Sequence, residues 1–385
     1  MTGSYDLVVI GGGIHGLCIA ERGASRGWRT LLLEKGPRLA GATTASWFRI
    51  LHGGLRYLQS ADLTRHRESV VARRWFMQGF PDLTAPLACV MPLSGKGLKR
   101  PFVMRAAFAL DAALAGDRNR GLPLRSMLPA GRVIDRQKAQ HLVPEMGGTE
   151  PSAALWYDGT TSDSEALLRA VADRARTAGA TLLTGQEAVG LEASDGQVTG
   201  IVAEGSARAT YSTPRVVNAA GPWSREVAGR LDRDRPELFE PALAFNLLLD
   251  RPPLGEAALG VTPDRPGAPA LFLQPLRGRL FAGTWYAPWN GPLDDPNVPE
   301  AALAAALADL APFVPGGPLR PGEILEVFPG LLPAEKAGTT DLRSHDIILD
   351  HGAAGGPRGL FSVSGVKLTT APTVAAKVVD ALGRH

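Results

Sequence analysis

The residues best suited to chemistry by type and spacing stand near the start of the chain. Gly11, Gly13 and Gly16 form a Gly-x-Gly-x-x-Gly run, with Gly12, Ile14 and His15 between them. In such a run the first glycine permits a tight turn, the second lets backbone approach a pyrophosphate, and the third allows close helix–strand packing. A helix opening at this point offers unpaired N–H groups and a partial positive charge to the phosphates. Glu34 closes the next apolar run, where a carboxylate accepts both ribose hydroxyls and repels a 2′-phosphate, so NADP is disfavoured. Alone the glycine pattern is weak; between a strand and a helix, with the acid at this distance, it points to a bound dinucleotide.

Two later segments favour FAD over NAD, which would need little beyond that first unit. Arg215–Trp223 is a strand-like run ending in the small residues Ala219, Ala220 and Gly221, which brings backbone close to a bulky ligand. Gly365–Thr370 opens the last expected helix. A helix start there suits the negative charge that develops on a reduced flavin ring.

The elements that must position these groups follow from the apolar periodicity. Residues 5–10 read as a strand apolar on both faces, hence parallel and buried. A helical pattern runs to Arg26, Gly27 stops it, and Thr30–Glu34 is a second strand. Residues 62–78 read as an amphipathic helix with Arg65, His66, Arg67, Arg73 and Arg74 on its polar side. Further on, the pattern predicts a helix over 163–178, a strand over 180–184, alternating strands over 187–212 and a strand at Arg215–Asn218. A mostly antiparallel unit spans 241–330 with a helix at 298–311, and a strand at 359–363 and a helix at 368–383 close the chain. Late elements returning to the first sheet imply an α/β, Rossmann-like FAD-binding domain (1–85, 145–235 and 330–385). An inserted, mostly antiparallel β substrate domain (86–144 and 236–329) interrupts it.

Bulk composition fits this reading. The 385 residues are 45% hydrophobic and 21% charged, with a formal net charge of +3, ordinary values for a globular protein. No basic run is interleaved with aromatics as a nucleic-acid platform requires. Cys18 and Cys89 stand alone, with no CxxC or His/Cys cluster to suggest a metal. No secretory leader or membrane-spanning run is evident, which predicts a cytoplasmic protein. The basic and apolar stretch 96–125 (Lys96, Lys99, Arg100, Phe102, Arg105, Phe108) is either a solvated helix or a surface lying peripherally on an anionic membrane. The second option suits a quinone electron acceptor, with O2 the other candidate.

At Ala42–Ser46 and Ile50-Leu-His-Gly-Gly-Leu-Arg-Tyr-Leu58 the sequence resembles FAD-dependent glycerol-3-phosphate dehydrogenases, a family of the amino-acid-oxidase-like flavoprotein superfamily. The resemblance continues through Arg100-Pro101, Ala115–Pro123, Asn218–Trp223, Gly283-Thr284 and Ser364–Thr370, and so covers nearly the whole chain. It implies a glutathione-reductase/amino-acid-oxidase-like fold. It also implies flavin contacts at Ile14, His15, Glu34, Lys35, Thr43, Thr44, Ser46, Gly53, Gly54, Leu55, Ala188, Ala219, Gly221, Trp223, Gly330, Gly365, Lys367, Leu368 and Thr369. His52, Arg56, Tyr57 and Lys367 match positions beside the isoalloxazine or the substrate.

The chain departs from the family at the substrate. Leu332 stands where the family's Gly-x-Arg-Pro motif carries an anion-gripping arginine, and Pro269 aligns with a second such arginine. Asn246 replaces a family histidine, and Gly-Thr-Thr-Asp becomes Gly283-Thr-Trp-Tyr286. The sequence ends before the C-terminal helical domain of longer members. A buried charge-assisted pair to a phosphate is worth several kcal/mol when broken, so replacing two such arginines by apolar residues largely abolishes phosphate recognition: the fold and cofactor carry over while the substrate does not. His52 is either the general base for a hydroxyl proton or a hydrogen-bond partner of the flavin. Lys367 is either an active-site cation or a surface one, and Arg56 either grips an anion or makes a structural ion pair. Trp285 and Tyr286 either fill the core or stack on a ring-bearing substrate. The expected reaction is dehydrogenation of a secondary alcohol of a polyol- or sugar-like molecule. The rivals are a flavin amine or amino-acid oxidase, a non-catalytic flavin protein and an NAD enzyme.

Overall fold

A computed structural model describes residues 3–384. Its first sheet has six strands in the order Ile347–Asp350, Leu360–Ser364, Val216–Asn218, Leu7–Ile10, Thr30–Glu34 and Thr181–Thr184. All neighbours are parallel except the first pair. Leu7–Ile10 lies at the centre, in register Val8↔Val216 on one side and Val8↔Leu31 on the other. Its residues are apolar throughout because both faces are covered. On one side the helices Ile14–Ser25, Ser164–Thr177 and Ala371–Leu382 bury Val9, Leu17, Leu32, Leu167 and Val378. On the other, the three-stranded sheet of residues 187–212 and the helix Ser224–Leu231 enclose Val8, Ile10, Leu31 and Leu33.

The second sheet has nine strands. Ile324–Pro333, Pro241–Leu249, Arg279–Pro288, Leu271–Leu276, Ala258–Val261, Ala85–Pro92, Ser152–Thr160 and Ile50–Leu51 follow one another, and Arg132–Asp135 also pairs with Ser152–Thr160. Only Ala258–Val261 and Ala85–Pro92 are parallel. The helix Glu300–Leu310 closes one face over Phe245, Leu273 and Trp285. Ile50–Leu51 and Ser152–Thr160 belong to this sheet, so the chain passes between the sheets more often than the expected boundaries assumed.

One helix corrects its expectation. The helix Leu63–Gly79 forms, capped by Asp62, whose carboxylate accepts from the Arg65 N–H. Its polar side is not uniformly solvated, however. His66 is 0% and Arg73 4% exposed, because acids on other elements meet them. His66 Nε2 lies 2.9 Å from Asp111 on the helix Pro101–Leu114, and Arg73 donates to Asp158 on Ser152–Thr160 at 2.7 Å. Burial of a polar or charged side chain is tolerated when it has a partner.

Candidate active site

At the end of Leu7–Ile10 the fingerprint glycines are steric requirements. Gly11 has φ +102°, and a Cβ there would lie 2.6 Å from the Ala219 carbonyl oxygen; at Gly16 it would lie 1.9 Å from the Gly11 oxygen. The strand, the helix after it and the Val216–Asn218 crossing can approach so closely only without side chains. Around Gly13 a Cβ would meet only the Thr44 hydroxyl, at 3.2 Å, and around Gly221 nothing within 4 Å. Glu34 is fixed at the mouth of this turn, accepting from Gly12 and Gly36 N–H groups at 2.6 Å each. Thr44 accepts from the Ile14 N–H at 3.2 Å, and Thr43 bonds both backbone groups of Leu331 while packing on Gly330. Ala188 is buried beside Ile10 and Leu33. Lys35 Nζ lies 4.0 Å above the Trp223 ring and pairs with Asp294.

The residues present fit FAD. His15 Nε2 and Trp223 Nε1 are buried with no protein partner among the described residues, an expensive state that a polar ligand relieves. The His15 ring presses on Gly365, where a Cβ would come within 2.0 Å of it. Burial lowers its pKa, partly opposed by Asp346, so the ring is neutral. Open glycine faces at Gly13 and Gly221, Glu34 at one end and Gly365 at the other outline an elongated cradle.

Beyond Gly365 the chain turns through Lys367, Leu368 and the buried Thr369 before the helix Ala371–Leu382 begins. Lys367 therefore precedes the helix by a turn instead of opening it. Its ammonium lies 4.6 Å from the centre of the Tyr57 ring, whose other contact is the Arg65 guanidinium at 4.1 Å. Burial pulls the Lys367 pKa down, against the effect of Tyr57 and with that of Arg56 and Arg65. Neither Lys367 nor Arg56 has a carboxylate partner among the described residues. A cavity of about 80 Å³ opens beside Lys367, Tyr57, Arg65 and His345. Tyr286, 38% exposed, lies on the Arg56 side: partial burial raises its pKa, and the Arg56 charge opposes that rise.

His52 follows directly from strand register. Ile50 pairs with Thr160 and Leu51 with Gly159, so the next step sets His52 against Asp158. The His52 Nδ1 to Asp158 Oδ2 distance is 3.2 Å, and the imidazole is 38% exposed, with Nε2 taking no protein partner among the described residues. Burial pushes the Asp158 carboxyl up, but His52, Arg73 and the Gly53 N–H outweigh it and hold the pKa at about 2. Gly53 and Gly54 serve this assembly directly. A Cβ on Gly53 would strike the Arg73 guanidinium at 2.1 Å, and one on Gly54 would strike Ser69 at 2.8 Å. Leu55 packs with Leu93, Met104 and Phe108. Asp158 was missed from the sequence because it lies 106 residues from His52; only the strand pairing could have revealed it.

Two expected substrate contacts are corrected. Trp285 is 4% exposed, stacks on Phe245 and donates to Asp309 at 3.1 Å, so it belongs to the core of the second sheet. Asn246 is buried and spends both polar atoms within the protein: it donates to the Ser46 carbonyl at 2.8 Å and accepts from the Thr284 hydroxyl at 2.7 Å. Leu332 is half-buried on Ile324–Pro333, opposite Ala242.

Comparison with known proteins agrees with this geometry. The profile of the DAO family, FAD dependent oxidoreductase, matches residues 6–381. A glycerol-3-phosphate dehydrogenase of Synechocystis sp. is 30% identical, covering 98% of this chain and 69% of the relative. Glycerol-3-phosphate dehydrogenase 1 of Mycobacterium tuberculosis is 31% identical, covering 98% and 72%. Among solved structures, the FAD complex of glycerol-3-phosphate dehydrogenase from Bacillus halodurans superposes with a TM-score of 0.72 at 20% identity, over 99% of this chain and 64% of that one. Glycine oxidase from Geobacillus kaustophilus has the same fold, with a TM-score of 0.67 at 20% identity over 100% and 95%. A fingerprint cradle, orphaned polar atoms along it and a family match across both sheets lead to one assignment: the chain belongs to the DAO family of FAD-dependent oxidoreductases.

Proposed function

We propose that this flavoprotein dehydrogenates a secondary alcohol of a small polyol- or sugar-like molecule. The observation that supports this reading is His52, with one ring nitrogen held by Asp158 and the other free. An alcohol must give up its hydroxyl proton as the carbinol hydride leaves, and a neutral imidazole within reach takes it. An amine entering as its free base reacts through its own lone pair and needs no such acceptor; only its ammonium form must first give up a proton. FAD, when bound, supplies the hydride acceptor, and Glu34, Thr44 and the turns at Gly11–Gly16 and Gly365–Thr369 would hold it. Lys367 and Arg56, cations without carboxylate partners, orient the substrate oxygens and stabilise negative charge at the reacting edge. Tyr57 and Tyr286 line the same region.

Leu332 and Pro269 supply no charge for a phosphate, so phosphate monoesters bind poorly in this reading. The electron acceptor is a quinone or O2. Support for the quinone comes from the surface around Pro101–Leu114, where Phe102 is 64% and Leu98 51% exposed among Lys96, Lys99, Arg100 and Arg105. That combination suits peripheral contact with anionic lipid. No helix among the described residues is long and apolar enough to cross a membrane.

Anaerobic addition of glycerol, D-sorbitol, myo-inositol, D-glucose, glycerol 3-phosphate, glycine and L-proline to the holoprotein tests the reading. Bleaching of the flavin by an unphosphorylated polyol or sugar, with a carbonyl product, is expected. Bleaching by micromolar glycerol 3-phosphate would overturn the phosphate argument, and bleaching by an amino acid would favour the amine oxidase. No bleaching by any compound would leave a flavin-binding protein without this activity.

A further inference from the structure

We infer that Asp158 is the positioning residue for His52: clamped by Arg73 and the Gly53 N–H, it fixes the imidazole in the Nδ1–H tautomer, so that the free Nε2 is a proton acceptor. This rests on His52 acting as the base in the reading above, and it explains why that histidine precedes two glycines.

The tautomer follows from donor and acceptor arithmetic. A carboxylate only accepts hydrogen bonds, and Asp158 is ionised at neutral pH because Arg73, His52 and Gly53 all favour its charged form. The nitrogen facing it, Nδ1 at 3.2 Å from Oδ2, must therefore carry the hydrogen. In a neutral ring the other nitrogen is then bare. That nitrogen is on the exposed side of the ring, with no protein group competing for it among the described residues. When a hydroxyl O–H breaks there, the N–H bond forms at Nε2, and the imidazolium so formed lies against a fixed negative charge. Asp158 does not itself take the proton; a carboxylate held this far down the pH scale is the weaker base of the two.

The clamp has three further donors. Arg73 Nη1 donates to Asp158 Oδ1 at 2.7 Å and to the Tyr157 carbonyl at 3.0 Å, and both side chains of the ion pair are about 5% exposed. The Gly53 N–H donates to the same Oδ1 at 2.7 Å. The Trp156 indole lies 3.3 Å from Oδ2. Four donors thus converge on two oxygens, which leaves the carboxylate no freedom to rotate away from His52. The His-Gly-Gly sequence is the requirement for this: any side chain at residue 53 would occupy the space of the Arg73 guanidinium.

Nitrogen-15 NMR of histidine-labelled holoprotein, with His52 assigned by its loss in His52→Gln, reads the tautomer without a substrate. The expected signature at neutral pH is a protonated Nδ1 and a bare Nε2; a predominant Nε2–H ring would overturn the inference. Asp158→Asn removes the charge and lets a carboxamide either donate or accept, so the signature should become mixed. Flavin reduction by the most active alcohol of the panel should slow by about 10²–10⁴-fold with FAD content and reduction potential unchanged, and Asp158→Glu should recover part of the rate. Gly53→Ala, which displaces Arg73 and keeps the carboxylate, should give the same change in smaller measure. Wild-type reduction rates in an FAD-replete Asp158→Asn protein would overturn the inference. Wild-type rates in His52→Gln would instead sink the base reading on which it rests, whatever the tautomer.

Discussion

Two of the histidine–aspartate pairs among the described residues share their chemistry and differ in almost everything else. His52 and Asp158 meet at 3.2 Å at the cleft, with one imidazole nitrogen open. His351 and Asp232 meet at 2.9 Å, and the second nitrogen of His351 bonds the Ser362 hydroxyl at 2.9 Å. That hydroxyl in turn accepts from Asn218 Nδ2 at 3.0 Å. As a constellation, Asp232–His351–Ser362 has the connectivity of a nucleophilic triad, yet both His351 and Ser362 are 0% exposed. It fastens the strands Val216–Asn218 and Leu360–Ser364 to the end of the helix Ser224–Leu231. Residue types and distances therefore do not separate a catalytic pair from a structural one. The separating feature is a free ring nitrogen on an accessible face, which of these two pairs the His52 pair alone has.

Substitution should pull the two pairs apart. The largest effect is expected at the open one: His52→Ala should keep FAD bound and slow anaerobic reduction by about 10²–10⁴-fold, since the cradle from Glu34 to Gly365 does not depend on that ring. Stopped-flow absorbance of the reconstituted variant measures it, and an unchanged rate would place His52 with the structural residues. Lys367→Met should come next, at about 10²-fold, because Arg56 remains nearby to carry part of the charge stabilisation. If Lys367→Met instead loses FAD, the ammonium holds the cofactor more than the reacting atoms.

What the sequence made legible was local or periodic. The glycine fingerprint, Glu34 and the helices at 14–25, 164–177 and 371–382 are written in short-range spacing, and the structure has them within a few residues of expectation. Pairing across long separations was not legible. The helix Leu63–Gly79 shows a polar side in sequence, but nothing in its periodicity tells that His66 and Arg73 point at Asp111 and Asp158 instead of water. Alternation along Arg279–Pro288 says that Trp285 and Tyr286 face opposite ways, and gives no means of choosing which enters the core. Asn246 was expected to face substrate because of its position in the family's pattern; its use as a pin between Ser46 and Thr284 depends on three separate elements meeting. The His52 partner was hidden for the same reason, although His52 itself was not.

At the sealed pair a smaller effect of another kind is expected. His351→Leu removes two buried hydrogen bonds and leaves Asp232 and the Ser362 hydroxyl short of a partner, at a cost of about 1–3 kcal/mol of stability. Arg235, 3.1 Å from Asp232, keeps part of that carboxylate satisfied, which limits the loss. The rate of flavin reduction per bound FAD should not change. A urea titration beside a stopped-flow trace of the same sample checks both; a fall in the rate comparable to that of His52→Ala would erase the distinction drawn between the pairs.

The finest test of the comparison is the pH dependence of stability. Burial lowers the His351 pKa from its ordinary value near 6.5, and the Asp232 hydrogen bond opposes this only in part. Below about pH 6.5 the unfolded chain then binds a proton at this residue that the folded chain refuses. Where the unfolded state binds more protons, stability rises with pH, so the folded protein should lose stability as the pH falls from 7.5 towards 5. The slope per histidine is bounded by about 1.4 kcal/mol per pH unit. His15 is lowered in the same direction, so His351→Leu should reduce the slope without abolishing it. The depressed carboxylates act in a separate window. Asp158, Asp111 and Asp232 have folded pKa values below the ordinary 3.8, and the stability they contribute is lost only as the pH falls through and below that value. Urea midpoints of wild-type and His351→Leu holoprotein at pH 7.5, 6.5, 5.5 and 5.0 resolve the histidine step alone. Equal slopes in the two proteins would remove His351 as its source. Stability that increased towards pH 5 would mean that the ring gains its proton on folding, and the sealed site would then be an ion pair instead of a neutral hydrogen-bonded plug.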